Sequence, residues 1–209
     1  MSDQLPIRVL LVDDHPVVRN GLSLMLKYEP DMKAAGEANN GFEALEFYRQ
    51  ERPDIVLMDL RMPVMNGVEA TIQIRTEFPA ARIILLTTYD GDEDIYQGLR
   101  AGARAYMLKD APCEELLNTI RIVHSGQKHI TPEVGIKLAE RLEGPELTER
   151  ERDVLRLMAK GKNNQEIGIE LFITEGTVKF HVNHILNKLA VNDRTQAVIA
   201  AVKRGIVIL

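Results

Sequence analysis

Five polar residues each close a run of apolar, β-prone residues. Asp13 and Asp14 end the run that starts at Ile7, and Asp59 ends the run from Asp54. Thr87 closes the stretch from Arg82, and Lys109 closes the stretch from Arg104. If those runs are neighbouring parallel strands, three carboxylates converge on one pocket. Converging like charges are costly unless a cation neutralises them. A hard, oxygen-preferring ion such as Mg²⁺ (or Mn²⁺) suits such a donor set. The hydroxyl of Thr87 and the ammonium of Lys109 add donors suited to phosphoryl oxygens. Asp59 is then a candidate nucleophile, since carboxylates form acyl phosphates in phosphoryl transfer.

Taken singly, each residue also has a plainer reading. Asp13 or Asp14 can cap a helix opening at Pro16, Asp59 can be a solvated loop carboxylate, and Lys109 a solvated strand end. Thr87 is a good β-former and Tyr106 an edge aromatic. Jointly the plain readings weaken, because all five polar groups fall at strand ends and none interrupts a strand.

The elements that must position them alternate along residues 1–126. Strands are expected at 7–13, 33–39, 54–59, 82–88 and 104–109. Helices are expected at 16–29, 41–51, after Asn66-Gly67, near 92–101 and at 113–125. Five β-α repeats imply an α/β doubly wound, five-stranded parallel sheet, because right-handed crossovers place helices on both faces. With the flavodoxin-like order 2-1-3-4-5, strands one and three meet at the topological switch point, where a crevice opens at their carboxyl ends.

Residues 127–145 read as a linker with its own helix, opened by Thr131-Pro132 and ended before Gly144-Pro145. From 146 to 209 the pattern is wholly helical, an all-α four-helix domain with helices near 149–160, 164–172, 175–189 and 194–204. Thr148-x-x-Glu151, Asn163-x-x-Glu166 and Asp193-x-x-Gln196 read as capping boxes, and Thr174 as a further cap. The second and third helices are two or three residues apart, which is helix-turn-helix spacing. In the third, Val178, Val182, Ile185 and Leu189 form one apolar stripe that must face a core. Gly176, Lys179, Phe180, Asn183 and Asn187 lie roughly opposite, a face that can enter a major groove. Lys can reach guanine, Asn can pair with adenine, and Phe can meet a thymine methyl. A lone exposed Phe180 has no packing role there. His181 and His184 on the flank read as packing or phosphate-contacting residues rather than metal ligands.

Composition narrows the class. The chain has 209 residues, 45% apolar and 27% charged, as expected for a globular protein. No run approaches a membrane span, the N-terminus lacks the basic region of a signal peptide, and the single Cys113 excludes an internal disulfide and fits a reducing cytosol. The net charge of −5 is uneven: residues 1–144 carry 16 basic and 23 acidic side chains, residues 145–209 carry 10 and 8. Two modules with different partners follow, although so small a basic excess is a poor argument for nucleic acid.

Leu11-Val-Asp-Asp-His-Pro16, Met58-Asp-Leu-Arg-Met-Pro63 with Asn66-Gly67, Leu86-Thr-Thr88 and Ala103–Lys109 resemble the signature set of response-regulator receiver domains. Leu147–Leu155, Gly161–Ile167, Phe172–Lys179, His181-Val182 and Arg194–Ala197 resemble the LuxR-type helix-turn-helix. The whole chain is therefore similar to a response regulator of the NarL/FixJ type. That resemblance implies Asp59 as phosphoacceptor, and Asp13, Asp14, Asp59 and the backbone carbonyl of Arg61 as metal contacts. It implies Thr87 and Tyr106 as a switch pair and Lys109 as a phosphate clamp. In the second half it implies Lys179, Phe180 and Asn183 as base readers, and Thr174, Thr177 and Lys188 as DNA-phosphate contacts. Val198, Ile199 and Val202 would form a dimerisation surface. The implied partners are a sensor histidine kinase, double-stranded operator DNA, a second copy and RNA polymerase, in a bacterial cytoplasm, with no small-molecule turnover. The family often has Pro directly after the lysine, where this chain has Asp110-Ala-Pro112. Two other classes compete: an aspartyl-phosphate phosphohydrolase, whose Asp-x-Asp start Asp59-Leu-Arg61 lacks, and a small-molecule-sensing LuxR-type activator.

Overall fold

The computed structural model describes residues 5–88, 91–143 and 145–207, with side chains of 140–143 left aside. Gly144, one of the two residues expected to stop the linker helix, lies outside them. Among the described residues, contacts divide the chain into two compact units, 5–88 with 95–135 and 91–94 with 136–207.

The first unit holds β1 (Ile7–Val12), β2 (Met32–Ala38), β3 (Ile55–Asp59), β4 (Ile83–Thr87) and β5 (Ala105–Leu108), all parallel, in the order β2-β1-β3-β4-β5. Helices α1 (Pro16–Lys27), α2 (Gly41–Glu51), α3 (Gly67–Glu77), α4 (Asp92–Arg100, its first turn grouped with the second unit) and α5 (Cys113–His124) connect and follow the strands. Val9, Leu11, Ile55, Leu57, Ile84 and Leu86 form one buried cluster with Leu26 of α1 and Leu116, Ile120 and Val123 of α5. Their neighbours Leu10, Val56, Met58 and Leu85 are equally buried, so the sheet is covered on both faces. This explains why the central strands read as continuous apolar runs rather than alternating ones. Beyond α5 the chain returns to the edge strand, where the His129 N–H donates to the Arg104 carbonyl at 2.9 Å.

Helix starts follow local hydrogen-bonding chemistry. Asn66 and Glu69 form a full capping box on α3, and Asn40 accepts from Glu43 N–H to start α2. The aspartates do not cap α1. Its N-cap is His15, with no side-chain cap bond, and Pro16 opens the first turn. Asp13 instead accepts the His15 backbone N–H at 2.9 Å, a turn that leaves Asp14 outside the helix.

The linker helix α6 spans Pro132–Glu143. The second unit contains α7 (Glu149–Ala159), α8 (Asn164–Leu171), α9 (Glu175–Leu189) and α10 (Arg194–Lys203). Thr148 and Asn163 make complete capping boxes with Glu151 and Glu166, and Thr174 caps α9. The box expected at α10 is half formed: Asp193 accepts from Gln196 N–H, but the Gln196 amide oxygen accepts from Asn192 instead of closing on Asp193. The α8–α9 turn needs Gly168, since a Cβ there would sit 2.8 Å from the Ile173 carbonyl oxygen. Phe172 ends α8 in the left-handed region at φ 56° and is 94% exposed. A bulky residue in that conformation costs about 1 kcal/mol that glycine does not lose. Phe172→Gly is therefore expected to raise the stability of this domain by up to about 1 kcal/mol, read from the denaturant midpoint. A lowered midpoint would show that the exposed ring contributes packing the geometry does not reveal.

Candidate functional site: an acidic pocket and an exposed helix face

Register builds the pocket. Val12 pairs with Met58, Asp59 with Leu86, and Thr87 with Leu108. Asp13, Asp59, Thr87 and Lys109 therefore emerge together at the carboxyl edge of four adjacent strands. Asp13 is 1% and Asp59 5% exposed. The Lys109 ammonium lies between them, 2.6 Å from Asp13 Oδ2 and 3.0 Å from Asp59 Oδ1. Burial drives the Asp59 carboxyl up and Asp13 adds to that, while Lys109 opposes it. The outcome lies above the ordinary aspartate value. Burial pulls the Lys109 ammonium down, but its bonds to Asp13 and Asp59 outweigh that and hold it above the usual lysine value.

One ammonium among three carboxylates leaves the pocket with excess negative charge. Asp14 Oδ1 is buried and accepts no well-directed hydrogen bond among the described residues, its polar neighbour being His15 Nδ1 at 2.8 Å. Asp13, Asp14, His15 and Asp59 each offer one ligand atom, all within 4.8 Å of one another. A buried carboxylate oxygen short of well-directed donors, inside an oxygen-rich cluster, suits the donor set a hard cation takes.

Gly67 shapes the floor. A Cβ there would lie 2.2 Å from the Asp59 carbonyl oxygen, and the Gly67 N–H donates to the Leu60 carbonyl at 2.9 Å. Only glycine lets α3 start this close to the end of β3. Tyr106 is fully buried inside β5 rather than an edge aromatic, on the face where Gly98 of α4 lies against Leu85.

In the second unit α9 divides as its periodicity demands. Val178, Ile185 and Leu189 are buried, and Val182 packs against the same core. Gly176, Lys179, Phe180, Asn183 and Asn187 are exposed. Lys179 pairs with Glu175 at 2.8 Å, an exposed i,i+4 contact that breaks at little cost.

The first half matches the family described as the response regulator receiver domain over residues 9–121. The second half matches the luxR family of bacterial regulatory proteins over residues 145–201. This chain belongs to the response-regulator family. It is similar to the transcriptional regulatory protein LiaR of Bacillus subtilis, 43% identical over 209 residues, covering 96% of this chain and 99% of that protein. The response regulator VraR of Staphylococcus aureus is 41% identical over 208 residues, covering 97% and 100%. The crystal structure of ChrA, a response regulator in a haem-sensing two-component system, superposes with a TM-score of 0.60 at 35% identity, covering 97% and 100%. A receiver joined to a LuxR-type helix-turn-helix makes the chain a two-component transcriptional regulator and not a turnover enzyme, so both competing classes fall away.

Within this response regulator, the structure brings Asp13, Asp14, Asp59, Thr87 and Lys109 to one edge. Arg61 follows two residues after Asp59 in the β3–α3 loop. His15 joins the cluster unforeseen: its Nδ1 is 2.8 Å from Asp14 Oδ1 and 3.2 Å from Asp13 Oδ1. Its position beside two aspartates was the available signal. On the helix-turn-helix, Thr174 and Thr177 share a hydrogen bond between hydroxyls at 2.9 Å, at the exposed start of α9.

Lys188 departs from expectation. Its ammonium is 2.7 Å from Glu151 Oε2 and donates to the Glu146 carbonyl at 2.8 Å. It is turned toward α7, holding a carboxylate that is 3% exposed, rather than toward a DNA backbone. Burial pushes the Glu151 carboxyl up, but Lys188 and the Thr148 N–H outweigh this and hold it below the usual glutamate value. Phe180 is also less isolated than its spacing suggests, since its ring stacks on His184. On α10, Ile199 is exposed, whereas Val198 is partly buried against the domain core.

Proposed function

We propose that the receiver, taken as residues 1–126, accepts a phosphoryl group on Asp59 from a sensor histidine kinase. The domain at 146–209 then reads paired operator half-sites as a homodimer. The observation that supports this most is the convergence, fixed by strand register, of Asp13, Asp59 and Lys109 at one sheet edge. Asp13, Asp14, Asp59 and the Arg61 carbonyl would hold Mg²⁺ or Mn²⁺. When bound, such an ion supplies positive charge beside the phosphoryl oxygens. The Asp59 carboxylate forms the new O–P bond as the P–N bond of the donor phosphohistidine breaks, its electron pair staying on the imidazole. Lys109 exchanges its contact with Asp59 for a phosphoryl oxygen, to which the Thr87 hydroxyl also donates. The added charge of about −1.5 to −2 is the signal, and Thr87 with Tyr106 forms the switch pair that responds.

On the output side Lys179, Phe180 and Asn183 read base edges, Thr174 and Thr177 hold phosphates, and Val198, Ile199 and Val202 form the dimer surface, with Ile199 supplying its exposed apolar contact. The cytoplasm is the compartment that offers both DNA and a kinase, and RNA polymerase is the machinery such a regulator acts on. Among the described residues no helix is long and apolar enough to cross a membrane.

Operator selection on full-length protein tests this reading. Treatment with acetyl phosphate and Mg²⁺ is expected to tighten binding to the selected duplex, with two protomers bound. Lys179→Ala should cost about 1–3 kcal/mol and relax preference at one half-site position. Equal affinity of treated and untreated protein would overturn control by the receiver. An unchanged selected sequence in Lys179→Ala would overturn the orientation of α9.

A further inference from the structure

A line of contacts runs beneath the exposed face of α9 and ends on Phe180. Glu151, in the first turn of α7, is 3% exposed, and its Oε2 takes donors from the Thr148 N–H and the Lys188 ammonium, each at 2.7 Å. Its second oxygen, Oε1, faces His184 Nδ1 at 3.6 Å. At that separation the two groups are neighbours without a hydrogen bond. The His184 ring packs on Phe180 one helical turn back, with centroids 4.2 Å apart and planes inclined by 41°. His181 also meets Phe180, edge-on at 5.7 Å. Phe180 itself is 57% exposed on the same face as Lys179 and Asn183.

An exposed phenylalanine on a helix has two accessible χ1 wells, and a bare ring samples both. A ring at i+4 on the same face favours the well in which the two stack. His184 can do this only if its own ring is held, and the buried carboxylate of Glu151 is the group that faces it. We propose that His184 is a positioning residue for DNA recognition: anchored toward Glu151, it holds the Phe180 ring in the one orientation that presents its edge to the base step below. The chemical partner of a bare aromatic edge in the major groove is the C5-methyl group of thymine, which offers no hydrogen bond. The inference rests on the reading that α9 enters the groove through its Lys179–Phe180–Asn183 face.

The test is selection from randomised half-sites by the full-length protein. The variants are Phe180→Ala, His184→Ala, His184→Tyr and the double alanine variant, each checked for an unchanged melting curve. Phe180→Ala is expected to lose a thymine preference at one position. His184→Ala should weaken that same preference about 5-fold or more while leaving the other positions alone. The double variant should lose no more than Phe180→Ala. His184→Tyr keeps a ring and a polar tip and should recover most of the preference. A wild-type selection by His184→Ala, alongside an altered one by Phe180→Ala, would overturn the positioning role while leaving the reading face intact. Multiplying losses in the double variant would do the same. A wild-type selection by Phe180→Ala would overturn the reading face and this inference with it. If His184→Ala melts early, His184→Tyr decides alone: retained preference supports the role, and lost preference overturns it.

Discussion

Asp59→Asn is expected to abolish phosphate uptake from acetyl phosphate in Mg²⁺, with no phosphorylated species visible by intact-protein mass spectrometry. An amide oxygen is a far weaker nucleophile than a carboxylate, and Asp13, which shares Lys109 with Asp59, is committed elsewhere. Asp13 gives one oxygen to Lys109 and the other to the His15 N–H. The variant must also be shown to be folded, and the pocket's electrostatics supply that control. The Asp59 carboxyl lies above its ordinary value because burial outweighs Lys109. A carboxylate whose folded-state pKa is raised favours the fold below its unfolded value, and that contribution is lost as pH rises through the folded one. At neutral pH without metal, the wild-type protein therefore carries a charge the fold disfavours, and asparagine does not. Asp59→Asn should melt at a higher temperature than wild type at pH 7, and the difference should vanish as pH falls below the usual aspartate range. Mg²⁺ should raise the wild-type midpoint and leave that of the variant nearly unmoved. Phosphate incorporation at the wild-type level in Asp59→Asn would place the acceptor elsewhere.

What the sequence made legible depended on whether the cause was local. Strands β1, β3 and β4 are bounded within a residue or two, because both faces of the sheet are covered and the apolar runs stop where the acids begin. Helix starts at Thr148, Asn163 and Thr174 were readable from spacing alone, since a cap is a contact between residues three apart. The box on α3 has the same spacing, at Asn66-x-x-Glu69. The strand-end pocket was legible because strand order and register are the only non-local facts it needs. Lys188 was not. Its spacing on α9 sets it near the buried stripe or beside it, and only the partner on α7, 37 residues away in the chain, decides which. Phe172 was hidden for a different reason: a turn that usually holds glycine is closed here by a phenylalanine, and composition carries no signal of a left-handed backbone.

Lys188→Met is expected to destabilise the helix-turn-helix domain by about 2–3 kcal/mol. That is somewhat below the roughly 3–5 kcal/mol lost when a fully buried carboxylate is left without its cation, because Lys188 is partly solvated and the Thr148 N–H remains on Glu151. The sign with pH is set by Glu151, whose folded-state pKa is depressed by Lys188 and Thr148 against the effect of burial. Such a carboxylate contributes stability above its unfolded value, and that stability is lost as pH falls through the folded one. Removing Lys188 raises the folded value, so the gap between variant and wild type should be widest at pH 7 and narrower at pH 4. Adding Glu151→Gln to Lys188→Met should recover much of the loss, because an amide is far cheaper to bury than an unpaired charge. Urea titrations followed by helical circular dichroism at the two pH values measure all three quantities. Operator affinity gives the independent arm: the salt slope of folded Lys188→Met protein should match wild type, whereas losing a DNA-phosphate contact would lower it by about one. A variant as stable as wild type at pH 7, with a slope lowered by one, would return Lys188 to the DNA backbone and make its contact with Glu151 incidental.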